Sequence, residues 1–272
     1  MDIRKAIQKA QQLPLGKAGH IPPLISTLNS PEKSTPKNEN AGVNLAVCSL
    51  CGDVGFIRRD VPVGHAEFGR LILCACQQKR ISERLQMTMG TKFNKQKMFA
   101  DVLERGAGSR AMKRAALVFV ETPFGFLTIF GMTVVGTPSS ANGNGKTTCL
   151  QAIVNECVER GIASVYLTAS DMIEFLKAGI GDEDYDVESR LGVLSGIPVL
   201  CIDELSQPSW TDWVEDKMST LINRRYSGDV GTVLALDNNP ATFLHRRIYS
   251  RLQEGVLIQN SDPDMRPFLG WQ

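Results

Sequence analysis

The segment Ser140-Ala-Asn-Gly-Asn-Gly-Lys-Thr147 limits what this 272-residue chain can fold into more than any other stretch. Its two glycines permit a tight turn with inward-pointing backbone N–H groups, and the lysine and threonine complete a P-loop of the pattern G-x-x-x-x-G-K-[ST]. In that pattern the lysine reaches the β- and γ-phosphates of a nucleotide, and the hydroxyl ligates Mg²⁺. The sequence therefore predicts an ATP and Mg²⁺ site that includes Gly143, Asn144, Gly145, Lys146, Thr147 and Thr148.

The flanking sequence favours a P-loop over a chance Gly/Ser loop, although Ser140 stands where the first glycine belongs. Strand-like apolar runs precede the segment, and an amphipathic run from Thr148 to Arg160 follows it. The run Phe126 to Phe130 could lead directly into the loop, so either residues 131–140 enlarge the loop or Met132 to Gly136 is the true first strand.

From about residue 121, strand patterns alternate with helix patterns, which predicts an α/β fold with a parallel sheet. The apolar run 197–202 ends in Asp203-Glu204, about 55 residues after the P-loop. An apolar strand that delivers two carboxylates at its C-terminal end is the Walker B arrangement. We expect Asp203 to hold Mg²⁺ through water and Glu204 to polarise the attacking water.

Two later segments offer further polar groups. The strand pattern 231–236 ends at Asp237-Asn238-Asn239-Pro240, where a side chain can orient the lytic water; a simple turn is compatible with the same residues. The helix pattern 244–252 carries several arginines, and an arginine there can reach a γ-phosphate across a subunit interface. A solvated basic helix face is the alternative for this second segment.

Four of the seven cysteines form two close pairs, which suggests a metal more than disulfides. Cys48-Ser-Leu-Cys51 and Cys74-Ala-Cys76 can place four thiolates around a tetrahedral, structural Zn²⁺. Because C-x-C is less usual than C-x-x-C, His65 stays open as a substitute ligand, and reduced, packed cysteines remain the alternative to a metal site.

The net charge of +1 conceals an uneven distribution. The first 120 residues contain 19 Lys/Arg and 9 Asp/Glu, whereas the remainder contains 11 and 20. Nucleic-acid affinity is therefore expected mostly in the first part, with an unevenly charged solvated surface as the alternative. The sequence has no apolar run of about 18 residues and no signal peptide, which predicts a cytoplasmic protein without a membrane partner.

Together these motifs resemble the AAA+ replicative helicase loaders of the DnaC/DnaI type, particularly their phage and prophage versions. The likeness covers residues 46–266. It is carried further by Trp210-Thr-Asp-Trp213, Arg225-Tyr226, Thr232-Val-Leu-Ala235, Ser250-Arg251-Leu252 and the stretch from Val63 to Arg70.

The resemblance implies ATP-dependent delivery of the hexameric replicative DNA helicase onto single-stranded DNA, with self-assembly through the AAA+ domain. It implies sensor 1 at Asn238 or Asp237, a catalytic arginine finger at Arg251, and sensor 2 at Arg266. The altered start of the P-loop and the extra sequence before it predict slow or regulated hydrolysis.

Two rival functions remain. An IstB-type transposase-helper ATPase shares the AAA+ core, but the zinc segment argues against it. A zinc-containing adaptor that binds nucleotide without hydrolysing it would fit the altered P-loop.

The expected organisation has four parts. Residues 1–45 form a flexible arm with a candidate partner-docking helix at 2–13, and 46–90 form the zinc module. Residues 91–120 form a helical connector, and 121–272 form the AAA+ ATPase domain.

Overall fold

The computed structural model describes residues 48–266, except 59, 66–67, 133–140 and 207. The predicted N-terminal arm, Ser140 and most of the extra sequence before the P-loop lie outside the described residues. Within them, no helix is both long and apolar enough to cross a membrane.

A five-stranded parallel sheet organises most of the described chain, which confirms the predicted α/β class. Its strands are β3 Phe126–Phe130, β4 Ser164–Thr168, β5 Val199–Asp203, β6 Gly231–Leu236 and β7 Val256–Gln259. Across the sheet they follow the order β4-β5-β6-β3-β7. The three central strands are wholly buried, as expected for a parallel sheet covered on both faces.

Helices cover both faces of the sheet. They are α1 Ala75–Thr88, α2 Ala107–Glu121, α3 Lys146–Glu159, α4 Ala169–Lys177, α5 Val187–Gly196, α6 Asp212–Ser227, α7 Pro240–Phe243 and α8 Arg246–Leu252. Alternate residues of β3 enter different hydrophobic clusters: Leu127 and Ile129 pack with α2 and α3, whereas Phe126 and Phe130 pack with α5, α6 and α8. This alternation follows from the two-residue period of a strand.

The helix α2 belongs to the expected connector, yet it packs on α3 and β7 in the same cluster as the sheet. Its residues Met112 and Ala116 are fully buried. Helix α1, from the expected zinc module, likewise adds Ile81 and Leu85 to the other cluster. Both segments therefore contribute directly to the hydrophobic core around the sheet.

The side chain of Arg225 ties α6 to the sheet from a fully buried position. Its guanidinium donates to the carbonyl oxygens of Leu194, Ile197 and Gly231 at 2.7, 2.8 and 2.5 Å, and to Thr232 Oγ1 at 2.8 Å. Burial lowers the pKa of Arg225 to about 9, which leaves it charged at neutral pH. Among the described residues no carboxylate pairs with Arg225, and these acceptors offset the cost of burying its charge.

Two side chains of α1 pair with the outer edge of β4. Gln86 Nε2 donates to the carbonyl oxygen of Tyr166 at 2.6 Å, and the Tyr166 N–H donates back to Gln86 Oε1 at 3.0 Å. The Ser164 N–H donates to Ser82 Oγ at 2.9 Å. An edge strand has unpaired backbone groups, and here α1 satisfies three of them.

A two-stranded antiparallel hairpin precedes α1 and was not predicted. Its strands are β1 Phe56–Arg58 and β2 Leu71–Leu73, with Phe56 opposite Leu73 and Arg58 opposite Leu71. The cysteine pairs flank these strands, so the hairpin brings them to one end.

Candidate functional site

The P-loop turn points its backbone toward a small cavity at the start of α3. Gly143 and Gly145 have φ angles of 71° and 88°, a left-handed conformation that a side chain would strain. Helix α3 begins at Lys146, so its free N–H groups and the positive end of its dipole face the cavity. This is an anion-binding arrangement suited to phosphate.

The Lys146 side chain is only 8% exposed and lies among polar partners. Its Nζ forms an ion pair with Asp237 Oδ1 at 2.9 Å, donates to Asn144 Oδ1 at 3.0 Å, and also donates to the carbonyl oxygen of Ala141. With its amide nitrogen facing the carboxylate, Asn142 donates to Asp237 Oδ2 at 3.0 Å. The ammonium group is therefore held at the cavity by groups on both sides.

The two Walker B carboxylates occupy different environments. Asp203 is buried and accepts hydrogen bonds from Tyr166 Oη at 2.9 Å and from the Glu204 N–H at 2.8 Å. Glu204 is exposed, and its φ of 54° is rare for a residue other than glycine. Partial desolvation and then the charges of Asp203 and Asp237 raise the pKa of Glu204. Such strained, perturbed residues cluster at functional sites.

The cavity measures about 110 Å³ and brings together most of the predicted nucleotide-site residues. It is lined by Asn142, Gly143, Asn144, Lys146, Thr147, Asp203, Glu204, Ala235, Asp237 and Arg266. Among the described residues, the predicted Gly145, Thr148, Asn238 and Arg251 do not line it. At the end of β6, Asp237 occupies the position that faces the cavity, and Asn238 does not.

The four predicted cysteine ligands meet at the base of the hairpin, with all Sγ atoms within 4.8 Å of one another. Cys48 Sγ lies 3.8 Å from Cys74 Sγ, and Cys51 Sγ lies 3.5 Å from Cys76 Sγ. Four thiolates ~2.3 Å from a tetrahedral Zn²⁺ would lie ~3.8 Å apart, so the donor set fits that ion. The alternative ligand His65 is not a member of this group.

Backbone N–H groups near Cys48 favour its thiolate. Hydrogen bonding from the backbone of Cys51, and then of Leu50, lowers the pKa of Cys48 to about 7. Burial raises the pKa of Cys76 to about 12, with further contributions from the neighbouring thiols. Because a metal needs thiolates, such a site would bind its ion with release of protons.

Known proteins resemble part of this chain. No protein-family model matches the chain. It is 30% identical over 113 residues to the replicative helicase loader DnaI of Bacillus subtilis (strain 168), covering 41% of this chain and 36% of that relative. The solved structure of the DnaC helicase loader matches with a TM-score of 0.51 and 20% identity, over 60% of this chain and 96% of that one.

The chain resembles the DnaC/DnaI-type AAA+ helicase loaders. A replication initiator DnaA bound to AMPPCP and single-stranded DNA has the same fold, with a TM-score of 0.52 and 20% identity over 61% of this chain and 50% of that one. The matched stretch spans about a third of the length of the curated relative DnaI.

The predicted arginine finger lies apart from the cavity. Arg251 sits on α8, where its Nε donates to Asn223 Oδ1 of α6. Its guanidinium carbon lies 5.0 Å from the centre of the Tyr226 ring. The structure therefore places this arginine beside α6, consistent with either an inter-subunit role or an ordinary surface contact.

Sequence reasoning missed several residues around the cavity. Asn260, just after β7, donates from Nδ2 to the carbonyl oxygen of Asn144 at 2.8 Å. The Met265 N–H donates to the carbonyl oxygen of Gly143 at 2.9 Å. These contacts join residues more than 100 positions apart, which local patterns do not reveal. Tyr166 was also missed, because a tyrosine inside an apolar strand reads as core.

Proposed function

We propose that the chain is an ATP-dependent loader that delivers a replicative DNA helicase onto single-stranded DNA. The observation that carries this proposal is the convergence of Lys146, Asp203 and Asp237 around one cavity at the start of α3. Similarity to DnaI, named as a replicative helicase loader, supports the biological role. Nucleotide binding is further supported by the related fold of a DnaA bound to AMPPCP.

In this proposal the P-loop and Lys146 hold the nucleotide phosphates, and Thr147 with Asp203 holds Mg²⁺, which would supply charge neutralisation. The Lys146 ammonium exchanges part of its present set of oxygen partners for phosphate oxygens. Glu204, whose raised pKa suits a proton acceptor, takes the proton of the attacking water. Asp237 or Asn238 orients that water.

The remaining predicted roles complete the proposal. Arg251 acts on the nucleotide of a neighbouring subunit, so hydrolysis requires self-assembly, and its loss lowers turnover by about 10³-fold. Cys48, Cys51, Cys74 and Cys76 hold a structural Zn²⁺ that fixes the hairpin. The helicase is expected as a hexamer, and the DNA as a single strand.

The nucleotide part of the proposal is tested by Glu204→Gln. This change removes the proton acceptor but leaves Lys146 and Asp203, so ATP binding should persist while single-turnover hydrolysis falls by about 10³-fold. The matched control is Glu183→Gln, at an exposed position in the loop between α4 and α5. Unchanged hydrolysis in Glu204→Gln would sink the assignment of the base.

The loader role is tested by capture of the helicase on single-stranded DNA beads, with and without ATP. The wild-type chain should increase the amount of helicase retained, and Glu204→Gln should alter its release. ATP binding by the wild type without hydrolysis would instead favour the nucleotide-binding adaptor. Retention of a transposase rather than the helicase would favour the IstB-type function.

A further inference from the structure

A second, larger groove lies beside helix α3. It measures about 670 Å³, and its walls come from the loop after α1 and from α3. It is lined by Lys92, Phe93, Asn94, Lys95, Gln96 and Gln151, and we call it the basic groove. The set combines two cations, one aromatic ring and three amides, and the groove carries no carboxylate in its lining.

The loop that forms this groove is fixed by buried and half-buried partners. Asn155 of α3 donates from Nδ2 to the carbonyl oxygens of Asn94 and Lys97 at 3.1 and 2.6 Å. Thr91 Oγ1 donates to Asp171 Oδ2 at 2.8 Å. The P-loop helix and α4 therefore hold the loop in place, so a ligand would meet a largely preformed surface.

One lining residue of the basic groove, Phe93, is connected to the Walker B aspartate through Tyr166. The Phe93 ring lies 6.0 Å from the Tyr166 ring between centroids, and Tyr166 Oη donates to Asp203 Oδ2. Gln151, which is 9% exposed, also lines the groove from helix α3. A single side chain thus separates the groove from the residue expected to hold Mg²⁺.

We propose that the basic groove binds a segment of single-stranded DNA and that its occupancy is transmitted to Asp203 through Tyr166. The choice of partner rests on the proposed function. The lysines would contact phosphates, Phe93 would stack on a base, and the amides would reach base edges. The aromatic ring and amides favour a nucleotide chain over an acidic peptide, which needs only the cations.

The binding half of the proposal is tested with fluorescein-labelled oligo(dT) and the full chain, without nucleotide. Replacing Lys92 and Lys95 together by Gln should weaken binding and reduce the slope of log Kd against log salt by about 1.4, because two phosphate contacts are lost. Lys95 also pairs with Glu83 at 3.1 Å, but both side chains are exposed, so the fold should survive. Phe93→Leu should weaken binding by about tenfold through lost stacking.

The matched control removes the same charge elsewhere, by Lys177→Gln together with Lys217→Gln on α4 and α6. These changes should leave the salt slope within error of the wild type. If the groove and control variants lose equal oligo(dT) affinity, the groove is not the binding site. The DNA would then be attracted by the overall charge of the protein. An acidic peptide that displaces oligo(dT) from the groove with higher affinity would also overturn it.

The coupling half is tested by Tyr166→Phe, which removes the hydroxyl bonded to Asp203 and keeps the ring that contacts Phe93. Oligo(dT) affinity should match the wild type, while the ratio of ATP hydrolysis with and without oligo(dT) should approach one. A ratio as large as that of the wild type would overturn the transmission through Tyr166.

The outcomes separate this inference from the loader function. If the groove variants bind oligo(dT) as tightly as the wild type, the groove inference is overturned and the loader role is unaffected. Groove-dependent binding without any helicase retention would overturn the loader role and support the groove. A wild-type chain that binds no single-stranded DNA would overturn both.

Discussion

The central sheet and the cysteine hairpin use different sources of stability. Every residue of β3, β5 and β6 is buried, whereas among the described residues 48–74 only Gly55 and Cys74 are buried. The hairpin instead exposes large apolar side chains at Leu50, Val54, Phe56, Val63, Phe68 and Leu71. The sheet can fold through burial alone, but the hairpin has too little core and needs a cross-link.

The largest predicted effect is the loss of the hairpin when the proposed Zn²⁺ is removed. A structural Zn²⁺ contributes roughly 10 kcal/mol or more of folding free energy in small domains. The few buried residues among the described part of 48–74 cannot replace that contribution. Chelation should therefore open residues 48–74 to proteolysis, while the thermal transition of the sheet stays in place. Mass spectrometry of the protease fragments measures the first effect, and calorimetry measures the second.

A matched pair of cysteine variants controls for the chelator. Cys48→Ser should lower the zinc content from about one ion per chain to a small fraction, as measured by elemental analysis. Cys157→Ala, at a buried thiol of α3, should keep the zinc. Full zinc content in Cys48→Ser would contradict the assigned ligand set and remove the basis of the comparison.

The next effect concerns the sheet, where Arg225→Met should cost about 3 kcal/mol in the free energy of unfolding. The change leaves the buried carbonyl oxygens of Leu194, Ile197 and Gly231 without their donor. Urea unfolding measures the loss, and the zinc content should be unaffected. The adjacent Arg224→Met is the control, because its exposed ion pair with Glu188 contributes about 1 kcal/mol at most. Equal losses in both variants would show that the buried donors add no stability of their own.

Sequence patterns predicted those parts of the molecule in which a residue's neighbours along the chain determine its environment. The strands 126–130, 164–168 and 231–236 lie where apolar periodicity placed them, and the two cysteine pairs meet. Both patterns are short and local, because the strands depend on apolar runs and each cysteine pair depends on the spacing within it.

The parts that could not be predicted depend on contacts between distant segments. Strand β7 is short and only half buried, so its pattern is weak. From the sequence, Gln86 is expected on the solvent-exposed face of a helix. Only the structure shows that its amide pairs with the edge of β4. The choice between Asp237 and Asn238 at the cavity depends on which side chain turns inward at the end of β6, and both residue types suit such a turn.

The smallest predicted effect lies at the junction of the two regions, where α1 carries the cysteine ligand Cys76 near its start and Gln86 near its end. Gln86→Met keeps the size of the side chain but leaves the N–H and carbonyl groups of Tyr166 without their partner, at a cost of about 1.4 kcal/mol. Hydrogen exchange at the Tyr166 amide should therefore become about tenfold faster.

The neighbouring Ser164 amide serves as an internal control, because its acceptor is Ser82 Oγ and the substitution does not touch that bond. If only the Tyr166 amide exchanges faster, the edge of β4 opens locally while α1 stays attached. If both amides accelerate equally, α1 detaches as a whole, and zinc removal should then produce the same exchange pattern. That second result would contradict the independence of the two regions, because the metal centre would be stabilising the edge of the sheet through α1.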